Sequence, residues 1–437
     1  MLFYFVVSNK ICTFAAKSKY MEKELFRTII AENQEYIGRI PLVQRPLDLE
    51  EYGNYVFVGV RQAGKSYLLY QRIQQLLANG VEIENIVYVN FDDERLQGMA
   101  VTDFDLILQA YHSMYDSQPI FFFDEIQNVE GWANFARRLA NQKYRIYITG
   151  SNAKMLSRDI ETVLGGRYLD ISVFPYSFSE YLKAVGVLVS KNWQYGRKAN
   201  ELQRHFRTYF DWGGFPELVH FQEKRVWLNS LYNRIFFNDL VVRHKVKNED
   251  ALRLCVRRLA ESVKQPCSLN RLSNLIKATG TPCSPSTVME YVRYLQESCL
   301  LISIDNYVSK FVEKETIKKH YFVDNGLLHL FINNPNTSLL ENLCTITLYK
   351  KYGKGLYYYN RNIEVDFYVP DEGLAVQASY QMSDEETIER EAKALVTLHG
   401  LYPLKRAMII TYEDEGEIVR EGLKIEIKPA WKWVMEG

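Results

Sequence analysis

An excess of charge of either sign is the first thing missing from this chain: 53 basic residues stand against 53 acidic ones in 437. A balanced chain has no global attraction for nucleic acid or anionic lipid, so any such contact must come from a local patch. No cysteine pair has CxxC spacing and no Cys/His group has zinc spacing, although Cys12, Cys255, Cys267, Cys283, Cys299 and Cys344 are present. A zinc module therefore has no support, and free thiols in a reducing cytoplasm are the expectation. No apolar run approaches the ~18–20 residues of a membrane span, so no membrane partner is expected. Repeats and low-complexity tracts are missing too. The opening MLFYFVV lacks a basic segment before it, and its apolar core is shorter than the roughly 7–15 residues of a signal peptide. Met21 then opens MEKELFRTIIAENQEYI, an amphipathic helix pattern. Residues 1–20 are expected to be disordered or to follow from an upstream start codon.

What is present is a folded composition, 47% apolar and 24% charged, which argues against disorder. The aromatic share of 14% fits large cores and Tyr-rich strands. The length implies two to four domains at roughly 100–200 residues each. Strand signals at 55–59, 85–91, 119–123 and 144–149 alternate with helical spacing at 66–79, 103–115 and 132–141. That alternation predicts a parallel sheet covered by helices on both faces. Residues 177–187 and 200–265 read as mainly helical, broken at Gly213-Gly214-Phe215-Pro216. From about 316 the pattern turns strand-rich, with one helix over roughly 385–399, a second α/β unit. The domains read as 21–175, 176–250 (a helical linker or lid), 251–315 and 316–437.

Residues Gly59-Val60-Arg61-Gln62-Ala63-Gly64-Lys65-Ser66 have the Walker A spacing, after a predicted strand and before a predicted helix. Glycines let backbone N–H groups curl around phosphates, and the helix N-terminus adds donors and a positive dipole end. Lys65 brings a point charge to the terminal phosphates, and the Ser66 hydroxyl is a Mg²⁺ ligand. Tyr67 completes the nucleotide-binding stretch. Phe121-Phe122-Phe123-Asp124-Glu125 is the Walker B candidate. It places Asp124 at a strand tip, near the metal shell, and Glu125 where it can orient and deprotonate water. Ser151 and Asn152, at the tip of the 144–149 strand, are sensor candidates or a simple helix cap. Arg167 in Gly165-Gly166-Arg167 is an arginine-finger candidate or an ordinary solvated residue. No guanine-reading NKxD motif is present. A nucleoside triphosphate with Mg²⁺ is thus the expected ligand, and ATP as that nucleotide is what the family resemblance below implies.

GVRQAGKS, FFFDEIQNVEGW, ITGSNAKMLS and LGGRYLDISVFPYSFSEYL, in this order, resemble a prokaryotic family of AAA-type ATPases. The resemblance spans nearly the whole chain from about residue 25. It implies a P-loop ATPase domain, a winged helix and a C-terminal domain similar to PD-(D/E)xK nucleases, which have a restriction-endonuclease-like fold. It also implies a sheet in which the sensor strand separates the P-loop strand from the Walker B strand. The fold class expected is therefore α/β: a P-loop NTPase parallel sheet, a winged-helix middle and a C-terminal restriction-endonuclease-like domain.

Three helices starting near 251, 268 and 284, then a strand over 299–304, suit a winged helix-turn-helix. The third helix would offer Ser286, Thr287, Glu290 and Arg293, and it is not basic. Arg253, Arg257 and Arg258 on the first helix, with Arg271 and Lys277 on the second, supply some phosphate-neutralising charge. DNA, a docking protein and a purely structural role all stay open there. In the C-terminal unit Asp366 matches the first acid of the nuclease core. The E-x-K slot reads Gln377-Ala378-Ser379, without the acid or the lysine. One carboxylate from Asp366, even helped by Glu364, is a poor metal site, so no phosphodiesterase activity is expected. The leading reading is an ATP-driven conformational switch. A DNA-binding regulatory protein with nucleotide as a structural ligand is the second, and an ATP-regulated nuclease the third. A second copy of the chain is the partner that an arginine finger in trans would require.

Overall fold

The computed structural model describes residues 21–153, 162–189, 191–382 and 384–436, so the expectation for residues 1–20 lies outside the described residues. Among the described residues two sheets carry the fold. The first contains β1 (Asn54–Val58), β2 (Ile86–Asn90), β3 (Ile120–Asp124), β4 (Arg145–Gly150) and β5 (Tyr168–Ser172). Every neighbouring pair is parallel and the order is β2-β3-β4-β1-β5. The P-loop strand β1 and the Walker B strand β3 thus flank β4, as the resemblance implied.

The run Ile120-Phe121-Phe122-Phe123 is continuously apolar because both faces of its strand are covered. Phe121 and Phe123 face α1 (Lys23–Tyr36), α3 (Phe104–His112) and α4 (Trp132–Asn141), where Phe26, Ile30, Phe104, Phe135 and Leu139 complete one core. Phe122 points the other way, with Tyr55, Phe57, Tyr88 and Tyr147, against Leu69 and Ile73 of α2 (Lys65–Ala78). Each such side chain contributes roughly 1.5–3 kcal/mol on burial. The edge strand β5 was not foreseen. Leu169, Asp170 and Ser172 are exposed there, so no apolar run marks it.

The next stretch is helical: α5 (Phe178–Ala184), α6 (Gly196–Trp212) and α7 (Lys224–Arg234), which continues as a π-helical segment over Ile235–Val242. Ser177 and Glu180 close a capping box at α5. Then come α8 (Glu249–Glu261), α9 (Leu269–Lys277) and α10 (Pro285–Glu297), with Ser268 and Ser284 as N-caps and Pro285 at the first helical position. An antiparallel hairpin of β7 (Leu301–Asn306) and β8 (Ile317–Phe322) follows, and β6 (Cys267–Ser268) pairs with the free edge of β8.

The C-terminal unit runs α11 (Asn336–Tyr352), β9 (Tyr357–Asn360), β10 (Glu364–Val369), β11 (Leu374–Ala378), α12 (Glu385–Leu401), β12 (Arg406–Thr411), β13 (Gly416–Arg420), β14 (Leu423–Pro429) and α13 (Ala430–Glu436). Its strands join the hairpin in one sheet of order β13-β14-β12-β11-β10-β9-β7-β8-β6. The boundary read at 315/316 therefore falls inside the β7–β8 hairpin, and the parallel pairing of β7 with β9 carries the sheet across it. The sequence reading also overlooked α11. Leu339 to Ile346 are buried without a break, including Glu341, Asn342 and Thr345, so no amphipathic stripe advertises the helix.

Candidate functional site

β1 ends at Val58 and the chain turns through Gly59–Gly64 into α2. Gly59 has no alternative, because a Cβ there would lie 1.9 Å from the Val173 carbonyl oxygen. Gly64 caps α2 in the left-handed region (φ +93°), and no side chain caps that N-terminus. The first-turn amides of α2 therefore keep the anion-binding character expected of them. Two arginines tie the loop to its surroundings. Arg45 donates to the Ala63 carbonyl at 3.1 Å, to the Phe174 carbonyl at 3.0 Å and to Glu180 at 2.8 Å. Arg61, inside the loop, makes a two-pronged contact with Asp239 of the π-helical segment, 3.0 and 2.9 Å.

The structure brings Lys65, Ser66, Asp124, Glu125 and Ser151 together. Ser66 donates its hydroxyl to the Asp124 carboxylate. Asp124 also accepts from Tyr88 at 2.7 Å and from Thr149. Burial, joined by the neighbouring charge of Glu125, pushes Asp124 above the usual carboxylate range despite these hydrogen bonds. Glu125 sits at φ +52°, an uncommon region for a side chain of this kind, with its amide bonded to the Thr149 hydroxyl at 2.9 Å. Burial pushes its carboxyl up, but Lys65 and hydrogen bonds from Gln127 and Ser151 outweigh that and hold it below its ordinary value. The Lys65 ammonium lies 3.4 Å from Glu125 and donates to the Gly59 and Val60 carbonyls, both at 3.2 Å. Lys65 is only 4% exposed and Asp124 1%. This is a closed arrangement, with the P-loop lysine turned back on its own loop.

Other candidates lie elsewhere. Tyr67 is exposed on the first turn of α2, against Tyr70. Asn152 follows β4 on its tip, beside Ser151. Arg167 immediately precedes β5, whose first residue Tyr168 pairs with Asn54 at the start of β1. That is the end of the sheet opposite the P-loop, and Arg167 donates there to the Gly165 carbonyl at 3.0 Å. It is not brought to its own phosphate site. Of the basic residues on α8, Arg253 lies 4.0 Å over the Phe236 ring and Arg258 pairs with Glu261.

Sequence reasoning missed Tyr88, Thr149, Asp239 and Cys299. Thr149 had a signal, a lone hydroxyl in an apolar strand. Cys299 had none. It lies in a left-handed turn (φ +57°) between α10 and β7 and packs against the cores on both sides of the first sheet. The Ala153 amide bonds its sulfur, and burial pushes the thiol up to about 11 against the pull of the nearby Lys65 charge.

The C-terminal unit adds partners that the sequence reading did not foresee. Asp366 and Glu364 stand beside a slot that holds Gln377 and Ser379, as read, but a lysine and a third acid join them. Lys319 of β8 donates to Asp366 at 3.1 Å and to Glu341 at 3.2 Å, and it pairs with Glu364 at 3.1 Å. Gln377 turns to the backbone, accepting from the Asp366 amide and donating to the Glu364 carbonyl and to Glu391. The Ser379 hydroxyl bonds the Gln381 carbonyl. Sequence spacing could not find Lys319, because it lies on a strand outside the motif.

Comparison with known proteins adds family to geometry. The model of an AAA domain matches residues 52–182, and that of a domain of unknown function matches residues 203–338. The chain is 31% identical over 432 residues to an uncharacterised protein of Methanocaldococcus jannaschii, covering 94% of this chain and 95% of that one. It is also 31% identical over 391 residues to an uncharacterised protein of Haemophilus influenzae, covering 86% and 93%. Among solved structures, the Walker-type ATPase of Pyrococcus abyssi overlaps with a TM-score of 0.40 at 12% identity, over 72% of this chain and 97% of that one. At the identity and coverage of the two relatives, the chain belongs to the family they define, and its P-loop unit is an AAA domain.

Proposed function

We propose that this protein binds Mg-ATP at the Gly59–Ser66 loop and hydrolyses it to drive a conformational switch. The observation that carries the reading is the convergence of Lys65, Ser66, Asp124 and Glu125 at the tips of β1 and β3. These groups fit the cofactor: an uncapped helix N-terminus for phosphate, and a hydroxyl hydrogen-bonded to a carboxylate for a metal. When bound, Mg²⁺ supplies charge neutralisation of the terminal phosphates. Ser66 and Asp124 would hold it. Lys65 would leave the Gly59 and Val60 carbonyls for phosphate oxygens, which frees Glu125. Freed of Lys65, the Glu125 carboxylate can accept a proton from water. Ser151, bonded to Glu125, would keep that carboxylate oriented.

The switch follows from what the closed loop touches. Opening it disturbs Arg61–Asp239 in the π-helical segment and the packing of Cys299 at the end of α10. Both lie on elements that lead into or out of the α8–α10 bundle. Three helices followed by a hairpin, with β6 on its edge, support a winged-helix reading of that bundle. The α11–β9–β10–β11–α12–β12 order supports a restriction-endonuclease-like reading of the C-terminal unit. A DNA-bound form is weakened as a proposal by Arg253 and Arg258, which are engaged within the protein. The test is phosphate release by the wild type and by Lys65→Ala, with and without duplex DNA. Release lost in the variant supports the ATPase. Equal release in both defeats it, and a rate raised by DNA makes the helical bundle a DNA reader.

A further inference from the structure

We propose that the Lys319 ammonium is a built-in cation occupying the place of a divalent metal in the C-terminal unit, so that the native protein holds no metal there and loses its need for one. The lysine comes from β8, and its three acid partners from α11 and β10: Glu341, Glu364 and Asp366. The distances are 3.2, 3.1 and 3.1 Å. The ammonium donates hydrogen bonds to Glu341 and Asp366 and pairs by charge with Glu364. The side chain is 0% exposed, which only a fully compensated charge tolerates.

Three further observations point the same way. The neighbouring hydrogen bonds are arranged for the acids. Tyr321 donates to Glu341 at 2.7 Å, and the Ala378 amide donates to Asp366 at 3.1 Å. The residue that would add a metal ligand, Gln377, has its amide spent on the Asp366 amide, the Glu364 carbonyl and Glu391. And α11, which carries Glu341, is docked on β8 by Asn342, which bonds the Phe322 amide at 2.7 Å and its carbonyl at 3.1 Å. Lysine and acids are therefore delivered to each other by a fixed backbone, not by chance of rotamer.

The charge count says what the lysine has displaced. One ammonium faces three carboxyls. Such a set is under-neutralised by a single positive charge and would suit a doubly charged one. The tethered ammonium wins by proximity, since it never leaves the site. Metal–oxygen distances of about 2.0–2.2 Å would draw the acids inward by about 1 Å once the ammonium is gone. This inference stands apart from the ATPase reading, because none of its residues touches the P-loop site.

The experiment uses the full chain without nucleotide. Mn²⁺ binding, by electron paramagnetic resonance, and the thermal midpoint are measured for wild type, Asp366→Asn, Lys319→Ala and Lys319→Ala/Asp366→Asn. Wild type and Asp366→Asn should bind Mn²⁺ alike, since neither has this site. Lys319→Ala should gain one Mn²⁺ and a rise in midpoint of roughly 3–5 °C at saturating metal. Both gains should vanish in the double variant. Mn²⁺ bound by wild type and lost in Asp366→Asn would overturn the proposal. So would a folded Lys319→Ala with no added Mn²⁺ site, or one that folds neither with Mn²⁺ nor without it.

Discussion

Two lysines in this molecule are buried against acids, and they are buried differently. Lys65 has one carboxylate, Glu125 at 3.4 Å, and two main-chain carbonyls at 3.2 Å. Lys319 has three carboxylates and a tyrosine face 5.6 Å away. Carbonyl hydrogen bonds can be exchanged for phosphate oxygens at little cost, since both are neutral or anionic acceptors of the same proton. Carboxylates such as the buried Glu341 and the half-buried Asp366 cannot be abandoned without leaving charge uncompensated. The first lysine is placed to be lent to a ligand, the second to stay. The difference is set by the neighbours, not by the side chain.

The comparison breaks most sharply at Glu125. Glu125→Gln should leave nucleotide binding intact and lower phosphate release by ~10²–10⁴-fold. Unchanged release would mean that the partner of Lys65 is only a counter-ion, like the acids around Lys319. Next comes stability. Lys319→Met should cost about 3–5 kcal/mol in chemical denaturation, because it strands buried carboxylates. Lys65→Met should cost visibly less, and equal losses would erase the distinction drawn here. A smaller effect sits beside Lys319 on the same strand. Burial lowers His320 to about 4, so in the folded protein it stays neutral where the unfolded chain takes up a proton. Stability should therefore fall as pH drops from about 6.5 to about 4, by up to roughly 3 kcal/mol from this group, and level off below. His320→Gln should flatten that slope; an unaltered profile would show that the ring is not held neutral. Smallest of all, Asp366→Asn should leave ATP turnover within about twofold of wild type. A large loss would tie the two lysine sites into one catalytic unit.

The P-loop site was largely legible because its chemistry is local. Eight consecutive residues carry the phosphate loop, and Asp124-Glu125 follow an unmistakable apolar run. What was hidden came from distance along the chain. Arg61 meets Asp239 across 178 positions, and Cys299 approaches Lys65 from a helix–strand turn that has no motif. The partners of Asp366 in the C-terminal unit were hidden for the same reason. The E-x-K slot does hold Gln377 and Ser379, while the lysine that pairs with Asp366 comes from β8, outside the motif. Arg167 shows the reverse error: a plausible local pattern whose strand register sends it to the wrong end of the sheet. Pattern reading sees order along the chain, and only the topology says which ends meet.

The pairing of β7 with β9 has a practical consequence for taking the molecule apart. A chain ended at residue 315 would keep β7 but lose β8 on one flank and β9 on the other. Both edges of that strand would then offer bare amides and carbonyls to any neighbour, the usual prelude to aggregation. Fragments meant to isolate the helical bundle from the C-terminal unit should therefore precipitate or pair with themselves, whereas one that starts before β6 and runs through α13 keeps every strand of the larger sheet paired.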